Sequence, residues 1–312
     1  MKSIQNITSH FVGVVALLAL TTLTGCFTGV EVTPKISDSE VRKQVGKPTP
    51  EQLFTQSAKA ERPSLWRPGK QFVISDSKAS IAFGPAMRGE LLQRGDTIRF
   101  AGFSESVTLA GDTVTEIFFN SPYGTLNVRE EVPMANVTGR DHLDVPFAID
   151  LDLIDSFHKL LKGKTLWILT PSVYDINDEP AKGLKFDKVT VRNIVPGNDG
   201  FPLKMIFSNS AGQTRVVYMT PSSRSLTART FENIFSLSDP RKRYSNITDE
   251  NWNKIKRQEI ALDMTREECR LALGSPADVE QIGTYGGLME RWTYDNGIYL
   301  IFTDGRLTQF RK

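Results

Sequence analysis

The chain has 312 residues, with 38 Lys and Arg against 36 Asp and Glu, so its formal charge is only +2. That near-neutral balance offers no electrostatic case for nucleic-acid binding. A hydrophobic content of 39% with 23 Gly and 16 Pro describes a turn-rich globular chain long enough for two or three domains, and 2 Cys exclude a disulfide framework.

The N-terminus has the layout of an export signal. Lys2 is followed by the apolar run Phe11 to Leu20. At about ten residues the run is well short of the roughly 20 needed to cross a bilayer core, and it has signal-peptide proportions. Leu23-Thr24-Gly25-Cys26 closes it. This tetrapeptide resembles the bacterial lipoprotein lipobox. The resemblance implies that residues 1–25 are removed and that Cys26 is joined to diacylglycerol and further palmitate-type acyl chains. Two or more chains give stable anchoring. Phe27 rather than Asp follows the cysteine. By the same resemblance this directs the protein to the outer membrane, with the body expected to face the periplasm. A lipidated Cys26 leaves Cys269 without a disulfide partner.

Residues 26–67 read as a tether, with prolines at 34, 48, 50 and 63. Within it, Thr49-Pro50-Glu51-Gln52 predicts a short helix: Thr as cap, Pro at the first helical position and Gln three residues on. Leu53 and Phe54 are placed to dock that helix on the body.

From Gly69 the pattern becomes strand-like, with turn signals every 8–12 residues. Gln71–Ser75 is one strand. Arg94-Gly95-Asp96 turns into the alternating Thr97–Phe100, and Val114–Phe119 and Thr125–Val132 flank Asn120-Ser121-Pro122-Tyr123-Gly124. A similar series restarts at Gly163. Gly69-Lys70-Gln71-Phe72-Val73-Ile74 is echoed by Gly163-Lys164-Thr165-Leu166-Trp167-Ile168, Asp96-Thr97-Ile98 by Asp187-Lys188-Val189, and Ile117-Phe118-Phe119 by Met205-Ile206-Phe207. These echoes predict two copies of one small β unit. Gly84-Pro85 followed by Gly89 to Phe100 resembles bacterial SH3-like repeats. Such modules bind cell-wall peptides or partner proteins, but Ala82-Phe83 stands where the repeats carry Arg, and the second copy has no Gly-Pro.

Between the copies, Leu153, Ile154, Phe157, Leu160 and Leu161 form one apolar helical stripe, capped by Asp150 or Asp152 and ended by Lys162-Gly163. Phe231, Ile234 and Phe235 predict a shorter helix after the second copy.

The last domain begins with a helix at Thr248-Asp249-Glu250. Thr265-Arg266-Glu267-Glu268 is a capping box flanked by the staple pair Met264 and Cys269, and Gly274 and Pro276 end that helix. Three strands are expected next, turning at Asn296-Gly297 and Asp304-Gly305. Two-residue loops would pair Trp292 with Ile301, Tyr294 with Tyr299, Phe302 with Leu307 and Tyr299 with Phe310. One face then shows Trp292, Tyr294, Tyr299, Ile301 and Phe310, the other Ile298, Leu300, Phe302 and Leu307. Helices can cover only one face, so the other is left for a second domain or a partner, with Trp292, Tyr294, Tyr299 and Phe310 as its candidate partner-binding residues. Met264 to Pro276, Arg291-Trp292-Thr293-Tyr294 and Leu300 to Leu307 resemble the SmpA/OmlA (BamE-like) family. The resemblance implies a helix pair with a meander and a protein-binding or structural role. Asp263 stands where that family carries Gly.

The expected class is thus mainly β plus α+β: signal peptide 1–25, tether 26–67, small SH3-like β domains at 68–145 and 163–244 joined by a helix at 146–162, and a C-terminal α+β domain at 245–312. No residue pattern carries catalysis, a metal or a cofactor. His142 and His158 are unpaired, Asp175-Ile176-Asn177-Asp178-Glu179 has Pro180 where a calcium loop requires Gly, and Cys269 reads as a core residue. The expectation is a non-enzymatic envelope lipoprotein, held in the membrane by Cys26, acting through an envelope protein partner and not through nucleic acid. The alternative is a lipoprotein that binds peptidoglycan through the SH3-like units.

Overall fold

The computed structural model describes residues 48–83, 92–221, 229–284 and 287–311. The signal segment, Cys26 and the Gly84-Pro85 turn lie outside these residues. The described chain is mixed α and β, built on three antiparallel sheets.

Helix α1 (Pro50–Thr55) starts where the sequence places it: Thr49 accepts from the Gln52 amide, and Gln52 returns the capping-box bond. A 3-10 turn at Pro63–Leu65 follows. This stretch is not free spacer. Phe54 and Ala58 pack into one core, against Phe231 of the second sheet unit, while Trp66 enters another among Phe72, Phe100 and Phe103. The segment straps two sheets together.

The first sheet comprises β1 (Gln71–Ile74), β2 (Thr97–Val107), β3 (Thr113–Ser121), β4 (Gly124–Glu130) and β5 (Ala148–Asp150), in the order β4-β3-β2-β1-β5. Helices α2 (Ala79–Ala82) and α3 (Met134–Thr138) belong to the same stretch. Helix α4 (Leu151–Leu161) follows, capped by Asp150 on the Asp152 amide at 2.9 Å. The second sheet comprises β6 (Thr165–Ile168), β7 (Ser172–Tyr174), β8 (Pro180–Lys182), β9 (Asp187–Pro196), β10 (Leu203–Ser208), β11 (Thr214–Met219) and, after α5 (Phe231–Ile234), β12 (Phe235–Ser236). Its order is β12-β6-β9-β10-β11-β7-β8.

Leaving out β7 and β8, the two sheets have the same strand order, and the echoed residues occupy equivalent ladder positions. The Gly69 amide donates to the Phe100 carbonyl at 2.8 Å and the Gly163 amide to Val191 at 2.9 Å; both glycines lie in the left-handed region. Phe72 pairs with Ile98, and Leu166 with Val189. Both sheets carry a bulge at the matching place, opposite Phe118-Phe119 and opposite Ile206-Phe207. A bulge bends a strand and raises its twist, so the repeated bulge gives both sheets the same curl.

Successive residues of β1 and β5 face opposite ways. Phe72 and Ile74 enter the first core, whereas Val73 and Ile149 face the second, which also takes Leu153, Ile154, Phe157 and Leu161 of α4. The helix between the repeats is therefore core of the second. At this joint Lys70 is almost fully buried, with Nζ 3.0 Å from Asp150, 2.6 Å from Asp152 and 3.6 Å from Glu61.

The C-terminal unit contains α6 (Asp249–Lys256), α7 (Arg266–Leu273) and a sheet of four strands: β13 (Asp278–Thr284), β14 (Gly287–Thr293), β15 (Tyr299–Thr303) and β16 (Arg306–Arg311), in that order. The expected three-strand meander is corrected to four. Glu280 and Gln281 break the apolar alternation of β13, which is why sequence pattern alone passes over it. The Thr265 capping box is present, and Met264 and Cys269 are fully buried. This unit docks on the second sheet through Lys185 and Phe186. The Phe186 ring stacks on Trp252 at 5.1 Å, and Lys185 Nζ donates to the Leu271 carbonyl at the C-terminal end of α7, where a cation is favoured.

Candidate functional site

The sheet register decides which side chains meet a partner. Between β14 and β15, Trp292 pairs with Leu300 and Arg291 with Ile301. This corrects the expected pairing of Trp292 with Ile301. The cause is the loop. The Tyr294 amide donates to the Ile298 carbonyl at 2.9 Å, and Gly297 sits at φ +81°. Asp295-Asn296-Gly297 is thus a three-residue loop with a left-handed glycine, not a two-residue Asn-Gly turn. One extra loop residue shifts the ladder by one and exchanges the faces. The second hairpin turns on two residues, Asp304 and Gly305, both at positive φ, and Phe302 pairs with Leu307 as expected. A bulge beyond it then sets Phe310 opposite Leu300 instead of Tyr299.

Trp292, Leu300, Phe302, Leu307 and Phe310 therefore share the face that packs on α6 and α7. Trp292 is 1% exposed, against Phe302 at 4.7 Å and under the Arg270 guanidinium at 4.9 Å. Tyr294 is 8% exposed, and its hydroxyl donates to the Gly274 carbonyl past the end of α7. Burial, then the nearby Cys269 thiol, pushes its pKa up to about 12. Phe310 is half-buried against the same core. Of the four candidate partner-binding residues, only Tyr299 lies on the opposite, open face; the four do not form one surface.

The open face presents Ile282, Met289, Tyr299 and Ile301, with Arg291, Gln309 and Arg311 among them. All are exposed or half-buried, and the Arg291 guanidinium sits 5.6 Å from the Tyr299 ring. This is an amphipathic, aromatic and Arg-containing surface of the composition favoured at protein interfaces.

Sequence reasoning passed over Glu290. It points to the helix side, is buried, pairs with Arg266 at 2.9 Å and accepts from Trp292 Nε1 at 3.3 Å. Its lone signal was a carboxylate two residues before a core tryptophan. Both contacts fall on Oε2, so the carboxylate ties Trp292 of the sheet to Arg266 of α7.

Elsewhere, Asp175 accepts from the Asn177 and Glu179 amides, and Asp178 pairs with Lys204 at 2.7 Å, so these carboxylates build a hairpin. Asp96 caps its own turn through the Gln93 amide. His158 is half-buried on α4, and His142 is exposed beside Asp144. Burial pushes the Cys269 thiol up to about 12, the opposite of an activated nucleophile. A cavity beside buried Asp187 and half-buried Arg215 has room for about one water. Among the described residues no group of His, Cys, Asp and Glu is arranged to hold a metal ion, and no helix is long and apolar enough to cross a membrane. Comparison with known protein families and with curated proteins finds no match for the chain.

Proposed function

We propose that this chain is a lipid-anchored, non-enzymatic lipoprotein of the bacterial envelope, held through Cys26 in the outer membrane and facing the periplasm. It acts by protein–protein contact through the open face of its C-terminal sheet. The observation that carries the reading is that face: Ile282, Met289, Tyr299 and Ile301 are left outside a core that is complete on the other side. The lipobox resemblance supports the anchor, and the SmpA/OmlA resemblance supports a binding role for the terminal domain. The test is Tyr299→Ser with Ile301→Ser in the full chain, followed by crosslinking in intact cells. The reading expects an envelope crosslink present in wild type to disappear while thermal stability stays within about 0.5 kcal/mol, as is usual for surface changes. Unchanged crosslinks overturn it.

A second reading is favoured by one observation, the repetition of a bulged five-stranded sheet. It treats the two repeats as SH3-like units that bind peptidoglycan. Sedimentation of the full chain with purified sacculi separates the two readings: co-sedimentation supports the second, and its absence supports the first.

A further inference from the structure

We propose that β13 is a docking edge for an extended segment of a partner protein, bound by strand addition and carrying basic residues at alternate positions. This rests on the reading of the C-terminal sheet as a contact surface and specifies the contact.

A sheet edge exposes a row of unpaired backbone N–H and C=O groups, and folded chains blunt it with short strands, proline, bulges or charged side chains, lysine above all. This chain blunts most of its edges. β5 has three residues, β12 has two, and β8 has three and opens on Pro180. β16 has an arginine at each end and a bulge in its ladder. β4 carries Arg129 and Glu130, tied to Glu131 and Arg140. β13 is the least protected: its charges are the acidic Asp278 and Glu280, and it has no bulge and no basic side chain. It runs for seven residues without Pro, Lys or Arg, and its ladder with β14 is continuous. Among the described residues no hydrogen bond reaches it from its outer side.

The side chains say what fits. Asp278, Glu280 and Ile282 continue the open face, beside Thr293, Arg291 and Met289. Val279 and Gln281 continue the other side, past Trp292 and Glu290, where the helices stop covering the sheet. Val279 is 46% and Ile282 36% exposed. The backbone row takes another extended backbone, and alternate side chains give selectivity. Two carboxylates two residues apart on one face, neither in an ion pair among the described residues, select cations at alternate positions of the incoming strand. The β13 strand of a second copy does not supply them, having no Lys or Arg: antiparallel self-pairing centred on Gln281 sets Glu280 against Ile282 and Asp278 against Thr284.

The test uses the full chain with Cys26→Ser and a fluorescent alternating lysine–valine octapeptide, read by anisotropy at low salt. Saturable binding is expected. It should weaken at least fivefold in Asp278→Lys/Glu280→Lys and in Val279→Lys, exposed changes whose fold is checked by circular dichroism. It should vanish for one of two peptides N-methylated on alternate amides in the two possible phases. Binding that ignores the β13 changes, that survives methylation in both phases, or that never occurs overturns the proposal. Tyr299→Ser should leave peptide binding intact. A cellular crosslink that depends on Tyr299 but not on β13 would leave the contact surface standing and remove the edge.

Discussion

Lys70→Met keeps the bulk of the stem between Trp66 and Phe72 and removes the ammonium. Asp150, whose side chain is 11% exposed, then loses a cation at 3.0 Å; Asp152, 63% exposed, loses one at 2.6 Å. Removing one partner of a buried pair costs about 3–5 kcal/mol. Asp152 is largely solvated and Asp150 keeps the Asp152 amide as a donor, so about half of that, ~2 kcal/mol, is expected here. At about 2–4 °C per kcal/mol, Tm falls by about 4–8 °C. Asp150→Asn in the same chain should restore about 1 kcal/mol, because the stranded charge is gone. Alkaline titration supplies a second check. Burial opposes the charge on Lys70, but its hydrogen bonds to Asp152 and Asp150 and their negative fields outweigh burial, so its pKa is raised above 10.5. A base with a raised folded-state pKa stabilises fully below 10.5 and loses that contribution as pH rises through the folded value. The gap between wild type and Lys70→Met should be flat from neutral pH to about 10 and close above it. A variant within about 0.5 kcal/mol of wild type, or a gap that widens in alkali, would refute the account.

Trp292→Ala should cost about 3–5 kcal/mol by chemical denaturation, the range for a large aromatic removed from a core; a loss under about 1 kcal/mol would mean that the corrected register is wrong. Phe186→Ala removes the stack on Trp252 and should cost about 1–3 kcal/mol, with proteolysis between 236 and 249 accelerated before either flanking sheet is cut. In the Cys26→Ser chain, Cys269 should resist thiol reagents at pH 8 and react on denaturation, because burial holds its pKa at about 12; rapid modification of the folded chain counts against its placement. Thr265→Ala should lower stability by about 1 kcal/mol, since it opens the capping box on α7.

Much of the fold was legible because its signals are local. Thr49 and Thr265 announce their helices through the same capping box, and the α4 stripe names Leu153, Ile154, Phe157 and Leu161, all of which are buried. The repeated Gly-Lys openings mark two sheets of one plan, because a left-handed glycine before a strand is a backbone requirement visible in the letters. The site was less legible. Asn-Gly promised a two-residue turn, but Asp295 joined the loop, and one residue moved Trp292 from a proposed surface into the core. Turn propensity names the residues of a loop; cross-strand packing decides how many of them the loop keeps.

By itself the sequence determined the near-neutral charge, the apolar run that ends at Leu23-Thr24-Gly25-Cys26, the capped helix starts at Thr49, Asp150, Thr248 and Thr265, and the two-fold repetition, all of which follow from composition or from local pattern. Tertiary structure alone decided that residues 48–66 strap two cores together, that Lys70 is buried among Glu61, Asp150 and Asp152, that Phe186 docks the last unit, and that Tyr299 rather than Trp292 faces outward. The first three join segments packed together from different parts of the fold, and the last is a hairpin register held by packing on α6 and α7. Their free energy comes from burial and pairing that exist only once the sheets have closed, and no local propensity encodes it.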